Sequence, residues 1–387
     1  MAGTAEDART GSVAVYRRTF LPRSETFVRD HLLALRRYRP TAVTTYPQPD
    51  GLQVPGVPLV LADDRRLLSR ARRRLPRRWR ADQLDTEERG LAAALGTLRP
   101  DLLHTHFGTD GAVALGAARR AGVPSVVTFH GYDATTYPES VAKTPVGQLM
   151  LDRWDELVAG TGWVIAVSDF VRRELVRRGA REDRIAVVPC GVDPRTFRWS
   201  PPDASGRLLF VGRLVEKKGC ADLLRALAAH PGLPPLDVLG DGPLRGDLEG
   251  LAGRLGVDVR FHGMADRETV LRHLESCSVV VMPSRRSATG DTEGLPVTSL
   301  EASACGRPVV GYAHSGLVDS VLSGRTGELV TEGDVAALGE ALTGLLADPA
   351  RLLEQSRAAR AHVEANFDIV RTTAAVEEVY DRAVSAG

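Results

Sequence analysis

The 387-residue sequence predicts an α/β protein with two doubly wound domains, each a parallel sheet covered by helices on both faces. Two observations support this prediction. Apolar, strand-like runs alternate with helix-sized segments along the chain, and these runs form two series separated by a proline-rich segment. The length also exceeds what a single hydrophobic core usually supports.

The strand-like runs define the order of the predicted elements. The first series is VAVY (13–16), DLLHTH (101–106), PSVVTFH (124–130), WVIAVS (163–168) and RIAVVP (184–189). The second series is RLLFVGR (207–213), PLDVLGDG (235–242), VDVRFHG (257–263), SVVVMPS (278–284) and RPVVGY (307–312). Parallel sheets bind ligands beyond the carboxyl ends of their strands, so the strand-end loops of both domains are expected to face one central cleft.

The boundary between the two series is predicted in DPRTFRWSPPDASG (193–206), where three prolines interrupt regular structure. We therefore expect a first domain over residues 1–197 and a second over 198–365. A C-terminal helix over about 366–387 is expected to pack back on the first domain.

The composition excludes several classes of protein. A hydrophobic content of 43%, a charged content of 26% and a net charge of +1 argue against wholesale disorder and against a uniformly nucleic-acid-binding surface. No apolar run reaches the length of a membrane span and the N-terminus lacks a signal-peptide pattern, so a cytoplasmic protein is expected. Four widely spaced cysteines indicate reduced thiols rather than a metal site.

The segment EGLPVTSLEASACGRPVVGY (293–312) places two carboxylates around the start of a predicted helix. The helix is expected to run from about Pro296 to Ala304, with Gly306 past its end. Glu293 then precedes the helix and Glu301 lies two turns into it. Carboxylates repel phosphate, so these two acids are better suited to sugar hydroxyls.

The segment GRLVEKKGCADLLRAL (212–227) places Arg213 and Lys218 after a strand and ahead of a helix, a geometry suited to a diphosphate. Only three of the 50 basic residues are lysines, and two of them are Lys217 and Lys218, which indicates a need for a compact ammonium group. Such cations can stabilise the charge that develops on a leaving group. The alternative is a solvated loop.

The turn VLGDGPLRGDLEG (238–250) nearly matches a dinucleotide-binding fingerprint, but Arg245 occupies the third glycine position. This departure from the fingerprint argues against a NAD site. Gly240 and Gly242 are predicted to let a nucleotide approach the backbone, and a purely structural turn is the alternative. The pattern G-x-x-x-x-G-K-[ST] is absent from the sequence, which excludes a P-loop.

Three further features have both a functional and a structural interpretation. His130, at a strand end before Gly131, either faces the cleft or is a buried structural histidine. His104 and His106 favour structural roles, since no third ligand at metal spacing accompanies them. The segment RRLLSRARRRLPRRWR (65–80), with nine arginines, is either a membrane-surface helix or a solvated basic helix.

These motifs together resemble the retaining, nucleotide-sugar-dependent glycosyltransferases of family 4, which have the GT-B fold of two facing Rossmann-like domains. The most specific match is the E-x7-E motif of Glu293 and Glu301, and GRLVEKKG, TFHGYD, VVPCGVD and GDGP support it. The resemblance implies that Glu293 holds the hydroxyls of the transferred sugar and Glu301 the nucleotide ribose. It further implies a complete donor-binding set of Gly212, Arg213, Lys218, Gly240, Gly242, Met264, Glu293, Gly294, Leu295 and Glu301.

The catalytic residues implied by this resemblance are His130, Arg213, Lys218 and Glu293. The family uses no metal or other cofactor and no protein nucleophile, and the acceptor hydroxyl attacks the face that the diphosphate leaves. One departure is the loop RRTFLPRSETF (17–27), where many family members carry two glycines. The first-loop contacts of the family are therefore not assigned to residues of this chain.

The segments SETF, DLLHTHFGTDG, TFHGYD and ATGDTEGLPVTSLEA also resemble enzymes that glycosylate the aminocyclitol 2-deoxystreptamine in aminoglycoside antibiotic biosynthesis. Glu25, Asp110 and Asp133 are the predicted acceptor-binding acids, and capping of helices or turns is their alternative role. The expected reaction moves glucose or N-acetylglucosamine from a UDP-sugar to such an acceptor. The alternatives are an exopolysaccharide or lipid-linked-oligosaccharide glycosyltransferase at the membrane surface, a non-catalytic sugar-nucleotide-binding protein, and a nucleotide-sugar epimerase.

Overall fold

The computed structural model describes residues 11–62, 80–160, 162–204 and 206–386. Their packing divides the chain into two compact units. One unit runs to Cys190 and resumes at Ile369, and the other spans Gly191–Asp368. The predicted functional domains, 1–197 and 198–365, stay predictions, because a packing division does not test function.

The first unit contains a seven-stranded sheet in which every strand pair is parallel, in the order β3-β2-β1-β4-β5-β6-β7. Its strands are β1 (Gly11–Phe20), β2 (Tyr38–Pro47), β3 (Leu59–Leu61), β4 (Leu102–His106), β5 (Ser125–Phe129), β6 (Trp163–Ala166) and β7 (Ile185–Val187). Its helices are α1 (Thr26–Ala34), α2 (Arg80–Leu98), α3 (Gly108–Ala121), α4 (Tyr132–Thr135), α5 (Pro138–Val141), α6 (Pro145–Asp152), α7 (Trp154–Ala159) and α8 (Asp169–Arg177). A 3₁₀ turn spans Glu182–Arg184.

Alternation along β1 explains why both faces of this sheet are covered. Val13 and Val15 point to one face and pack with Tyr380 of the C-terminal helix. Ala14 and Tyr16 point to the other face and pack with residues such as Leu91 of α2. The central run VAVY (13–16) of this strand is therefore continuously apolar, as expected for a parallel sheet buried on both sides.

The second unit contains a six-stranded parallel sheet in the order β10-β9-β8-β11-β12-β13. Its strands are β8 (Leu208–Val211), β9 (Leu236–Leu239), β10 (Val259–Gly263), β11 (Val279–Met282), β12 (Val309–Tyr312) and β13 (Gly327–Val330). Its helices are α9 (Cys220–Ala229), α10 (Arg245–Leu255), α11 (Arg267–Ser276), α12 (Val297–Ala304), α13 (Leu317–Ser320), α14 (Val335–Leu346) and α15 (Pro349–Asn366), and α16 (Ile369–Ser385) returns to the first unit.

Capping side chains stabilise the first turns of several helices. Asp266 accepts a hydrogen bond from the Thr269 amide at the start of α11, and Asp334 accepts one from the Ala337 amide at the start of α14. Pro296 immediately precedes α12, so the helix predicted from about Pro296 to Ala304 is confirmed.

The predicted fold class, two doubly wound parallel-sheet domains, is confirmed, and every predicted strand is present. Among the strands that the structure describes, β2, β3 and β13 were not predicted from the sequence. Within the described part of the chain, no helix combines the length and the apolar character needed to cross a membrane.

Candidate functional site

The loops that follow β8, β9 and β11 meet at one edge of the second sheet, because these strands are neighbours and parallel. The Gly212 amide donates to the Leu239 carbonyl at 2.9 Å, which joins the first two loops. The Arg285 amide donates to the Lys217 carbonyl at 2.8 Å, which joins the first loop to the third. Sequence-distant motifs thus form one continuous surface.

The loop after β8 presents three cationic side chains. Arg213 is exposed, whereas Lys217 and Lys218 are half-buried at the end of a 3₁₀ turn over Glu216–Lys218. The aliphatic part of Lys218 lies over Gly212, since a Cβ added at Gly212 would be 3.3 Å from Lys218 Cε. Arg213 lies four positions before Lys217 in the same loop. Its charge opposes, as the smallest contribution, the net rise in the pKa of Lys217 that acidic neighbours cause. The predicted diphosphate pair is therefore part of a group of three cations.

Glu293 is the acidic counterpart of these cations. Its side chain is buried, and its Oε1 lies 3.0 Å from Lys218 Nζ and 3.9 Å from Lys217 Nζ. Burial alone would raise the pKa of Glu293, but the attraction of Lys218 and Lys217 holds it below its ordinary value. Glu293 is consequently an anion that can accept hydrogen bonds from hydroxyl groups.

Lys217 and Asp291 extend this network, and neither was among the predicted site residues. Lys217 Nζ lies 3.0 Å from Asp291 Oδ1. Burial opposes the charge on Lys217, but Glu293 and Asp291 raise its pKa above the ordinary value. The signal available in the sequence was the first lysine of EKKG together with the acid two positions before Glu293.

The segment after β12, which includes His314 and Gly316, packs against the loop that carries Glu293. His314 Nε2 lies 2.9 Å from Thr292 Oγ1, and His314 Nδ1 lies 2.8 Å from Glu332 Oε2. Gly316 approaches Gly294 so closely that a Cβ there would overlap the Gly294 carbonyl oxygen. This packing fixes Glu293, and Leu295 beside Gly294 is buried.

The glycine-rich turn after β9 lies against the cationic loop. Gly240 has φ 139° and faces the Gly212 carbonyl, where any Cβ would overlap the oxygen. The Gly242 amide donates to Asp241 Oδ1 at 2.7 Å. Beyond β10, Met264 is 64% exposed and offers an apolar surface at the same sheet edge.

Glu301 lies half-buried in α12, the helix that begins just after the Glu293 loop. The ribose contact assigned to it, like the other donor contacts, stays a prediction.

In the first unit, His130 is half-buried in a cluster of aromatic rings. Its Nε2 lies 3.0 Å from His106 Nδ1, and its ring centroid lies 4.7 Å from that of Phe27 and 4.5 Å from that of Phe107. Burial, helped by the charge of Arg17, lowers the pKa of His130 to about 3. The imidazole is therefore neutral, and the catalytic role assigned to it stays a prediction.

The three predicted acceptor-binding acids already have partners. Arg17 donates to Glu25 Oε1 at 2.6 Å and forms an ion pair with Asp110, whose Oδ2 also accepts the Arg18 amide at 2.8 Å. Burial raises the pKa of Glu25 and of Asp110 against the attraction of Arg17. An acceptor would have to share these carboxylates with Arg17. This residue was predicted in the first loop without a role, and the structure places it in β1.

Asp133 holds the chain in place after β5. It is fully buried and accepts hydrogen bonds from the amides of Gly108, His130 and Gly131 at 2.8, 3.1 and 2.9 Å. Burial raises its pKa to about 6, although these amides favour the anion. These contacts are those of a turn cap, the alternative role considered for this residue. The acceptor-binding role of Asp133 stays a prediction.

The arginine-rich segment 65–80 lies outside the described residues except for its last position, where α2 begins. Membrane-surface contact through this segment stays a prediction.

Comparison with known proteins gives the family. The model described as Glycosyltransferase Family 4 matches residues 25–196, and the model described as Glycosyl transferases group 1 matches residues 205–348. The D-inositol 3-phosphate glycosyltransferase 2 of Catenulispora acidiphila is 32% identical over 318 residues, covering 73% of this chain and 71% of that protein. The chain belongs to the family 4 glycosyltransferases.

Other relatives of this glycosyltransferase are named for polysaccharide synthesis. The amylovoran biosynthesis glycosyltransferase AmsK of Erwinia amylovora is 30% identical over 278 residues, covering 69% of this chain and 67% of AmsK. The putative colanic acid biosynthesis glycosyltransferase WcaL of Escherichia coli is 31% identical over 282 residues, covering 70% of this chain and 68% of WcaL.

Solved structures match the fold of this glycosyltransferase over nearly its whole length. Sucrose-phosphate synthase from Thermosynechococcus elongatus has a TM-score of 0.79 at 21% identity, covering 97% of this chain and 100% of that one. HepE of Anabaena, solved in complex with UDP and glucose, has a TM-score of 0.76 at 19% identity, covering 96% of this chain and 100% of that one. These neighbours are GT-B glycosyltransferases, which confirms the predicted fold.

Proposed function

We propose that this glycosyltransferase moves a hexose, glucose or N-acetylglucosamine, from a UDP-sugar to a hydroxyl group with retention of anomeric configuration. The observation that carries the proposal is the charge network at the second sheet edge, where Lys218 and Lys217 surround the buried anion Glu293. Cations there suit a diphosphate, and a fixed carboxylate suits sugar hydroxyls, so the two halves of a nucleotide-sugar have complementary groups side by side.

In the proposed step, the bond between the anomeric carbon and the diphosphate oxygen breaks as a bond to the acceptor oxygen forms on the same face. The acceptor proton passes to the departing diphosphate oxygen. Arg213 and Lys218 stabilise the negative charge that grows on the diphosphate, and stronger binding to that charge than to the ground state is what accelerates the reaction. We propose that these side chains, rather than a divalent ion, supply the positive charge.

Lys218 and Glu293 form an ion pair in the free protein. We propose that a bound donor breaks this pair by contacting each of the two side chains. Its diphosphate competes for Lys218, and its sugar hydroxyls supply hydrogen bonds to Glu293. The carboxylate then stays paired through Lys217, which keeps it anionic and in place. Glu301 would hold the ribose, and Gly240, Gly242 and Met264 would line the path of the nucleotide.

UDP is the proposed nucleotide because the fold neighbour HepE was solved with UDP and glucose. The relatives also include a GDP-mannose-dependent mannosyltransferase of Mycolicibacterium smegmatis, 33% identical over 282 residues. Donor choice is therefore a point for direct assay, with UDP-glucose, UDP-N-acetylglucosamine and GDP-mannose compared under the same conditions.

Two acceptor classes are proposed, each from a separate observation. A saccharide acceptor of exopolysaccharide synthesis is supported by the names of the relatives AmsK and WcaL. An aminocyclitol such as 2-deoxystreptamine is supported by the sequence motifs and by the group of Glu25, Asp110 and Asp133. The partners of these acids weaken the second candidate, because Arg17 already offsets part of the charge of Glu25 and Asp110, and backbone amides occupy Asp133.

The test is a transfer assay with each acceptor, in the presence and absence of anionic lipid vesicles. Transfer to free 2-deoxystreptamine without lipid supports the aminocyclitol, whereas transfer only to a lipid-linked saccharide supports the exopolysaccharide reaction. Donor isomerisation without any acceptor would identify an epimerase instead. Donor binding with neither transfer nor hydrolysis across these acceptors would support a non-catalytic sugar-nucleotide-binding protein and overturn the proposed activity.

A further inference from the structure

A second cluster of chemically active side chains lies on the second unit, at residues other than those assigned to the donor. Asp237 lies in β9, His262 in β10 and His273 in α11. One ligand atom from each of the three lies within 4.8 Å of the others. The two imidazole rings meet edge to face, with centroids 4.8 Å apart and an interplanar angle of 69°. Two imidazoles and one carboxylate are a common ligand set for zinc-class divalent ions.

Outer contacts already orient two of the three ligands. His273 Nδ1 lies 2.8 Å from the Thr269 carbonyl oxygen, which can only accept, so Nδ1 carries the proton and Nε2 keeps a free lone pair. Asp237 Oδ2 accepts from Arg207 Nε at 2.9 Å, which leaves Oδ1 facing the histidines. In other metalloproteins, backbone carbonyls and charged side chains orient metal-binding histidines and carboxylates through hydrogen bonds of this kind.

His262 completes the set. Its Nε2 lies 2.9 Å from Asp237 Oδ1, and its ring is exposed, so it can turn and can be reached from solvent. Zinc binds its ligands at about 2.0–2.2 Å, which places neighbouring ligand atoms roughly 3.5 Å apart. Separations of up to 4.8 Å must therefore shorten by at most about 1.3 Å, and the 2.9 Å between His262 Nε2 and Asp237 Oδ1 must lengthen slightly. Rotation of the exposed His262 ring can supply both changes. The proton now shared by His262 and Asp237 would move to Nδ1 or to water.

From this geometry we infer that Asp237, His262 and His273 form a surface binding site for a zinc-class divalent ion, with remaining positions filled by water. The guanidinium of Arg207 offsets part of the carboxylate charge, so affinity depends mainly on the imidazole nitrogens. The site should accordingly prefer Zn²⁺ over Mg²⁺ and Ca²⁺, which require oxygen ligands.

A second histidine cluster, in the first unit, is the main competitor. His31, His104 and His106 also bring three ligand atoms within 4.8 Å of one another. However, His104 Nδ1 lies 2.7 Å from the Tyr380 hydroxyl and its Nε2 lies 2.8 Å from Thr128 Oγ1, so both nitrogens are occupied. All three rings are buried, and an ion would have to break these hydrogen bonds.

The test is zinc binding to the full chain, stripped of metal with a chelator and titrated against a chromophoric competitor. We expect one ion per chain and a loss of affinity of about tenfold or more in each of His262→Asn and His273→Asn. His362→Asn, at a half-buried histidine elsewhere in the second unit, is the matched control and should leave binding unchanged. X-ray absorption of the zinc-loaded protein should show two imidazole ligands.

Three results would overturn the inference. One is the absence of stoichiometric zinc binding, and another is zinc binding that His273→Asn leaves unchanged. The third is binding that is lost in His31→Asn alone, which would place the ion in the buried cluster. Thermal unfolding of each variant establishes that it is folded. His262 is exposed and His273 is half-buried, and replacement by Asn is tolerated best at such positions.

Discussion

Lys218 is the residue on which the proposed chemistry depends most. Its aliphatic chain lies over Gly212 and its ammonium group contacts Glu293 at 3.0 Å. Lys218→Met keeps the chain and removes the charge, so we expect kcat to fall by about 100-fold or more, as when one donor to a developing anion is deleted. Steady-state sugar transfer measures this effect.

The matched control is Lys143→Met, which removes the same charge from an exposed position in the first unit. It should leave kcat within about twofold of the parent, since surface charges contribute little. Equal losses in the two variants would mean that a general change in charge, rather than contact with the diphosphate, is responsible.

Buried histidines should make the first unit sensitive to acid. Burial lowers the pKa of His31 to about 4 and that of His130 to about 3. The unfolded chain takes up protons on these rings near pH 6.5, whereas the folded chain does not, so the free energy of unfolding falls as the pH drops below about 6.5. Asp133 opposes this trend, because its pKa is raised to about 6 and the folded state then holds the extra proton.

His31→Asn isolates the contribution of one ring. Between about pH 6.5 and pH 4 the variant should show a shallower loss of unfolding free energy than the parent, by at most about 1.4 kcal/mol per pH unit. Urea unfolding at several pH values measures both slopes. Parallel slopes would show that His31 takes up its proton equally in the folded and unfolded states.

At the scale of elements, the glycine-rich turn after β9 is fixed by its contact with the loop after β8. Gly240→Ala adds a Cβ at φ 139° that overlaps the Gly212 carbonyl, so the two loops must separate. We expect a loss of stability of about 1–3 kcal/mol and weaker donor binding, because the cationic loop shifts. Denaturant unfolding and donor titration measure the two effects.

Gly253→Ala is the control for this substitution. Gly253 lies in α10, where an added Cβ meets no atom within 4 Å, so alanine should raise stability by up to about 1 kcal/mol. A destabilising Gly253→Ala together with a neutral Gly240→Ala would contradict the account of the turn.

The sequence predicted those elements whose pattern is strongly apolar. Strands such as β8 and β11 are continuous apolar runs, and periodicity is enough to find them. β2 (YRPTAVTTYP) carries prolines near both ends, β3 has 3 residues and β13 begins at Gly327, so none gives a clear strand signal. Their places come from pairing with neighbouring strands, which is a tertiary effect.

Sequence analysis selected those residues of the candidate site that belong to a recognisable motif or to a rare residue type. It missed residues whose part in the site depends on contacts made only in the folded chain. Glu293 and Lys218 stood out through motif and composition. The pairing of Lys217 with Asp291 joins loops that are 74 positions apart in the chain, and no local pattern encodes it. Arg17 likewise gains its role only because folding brings Asp110 beside it.

At the scale of the whole molecule, the proposed reaction predicts the stereochemistry of the product. The donor leaving group and the attacking hydroxyl share one face, so a UDP-α-sugar should give an α-linked product. The anomeric proton coupling in the NMR spectrum of the isolated product distinguishes the two configurations. A β-linked product would show inversion and would exclude the step proposed here.

Metal removal is a second test at this scale. Because Arg213 and Lys218 are proposed to supply the charge at the diphosphate, sugar transfer should persist at about the same rate after dialysis against EDTA. Activity that disappears and returns with Mg²⁺ or Mn²⁺ would show that a divalent ion shares this role.

The most direct test of the donor site is a crystal structure of the protein with an intact UDP-sugar bound. The diphosphate should contact Arg213 and Lys218, and a hydroxyl of the sugar should donate to Glu293. A donor whose diphosphate lies away from both cations, or whose sugar does not reach Glu293, would contradict the proposed site.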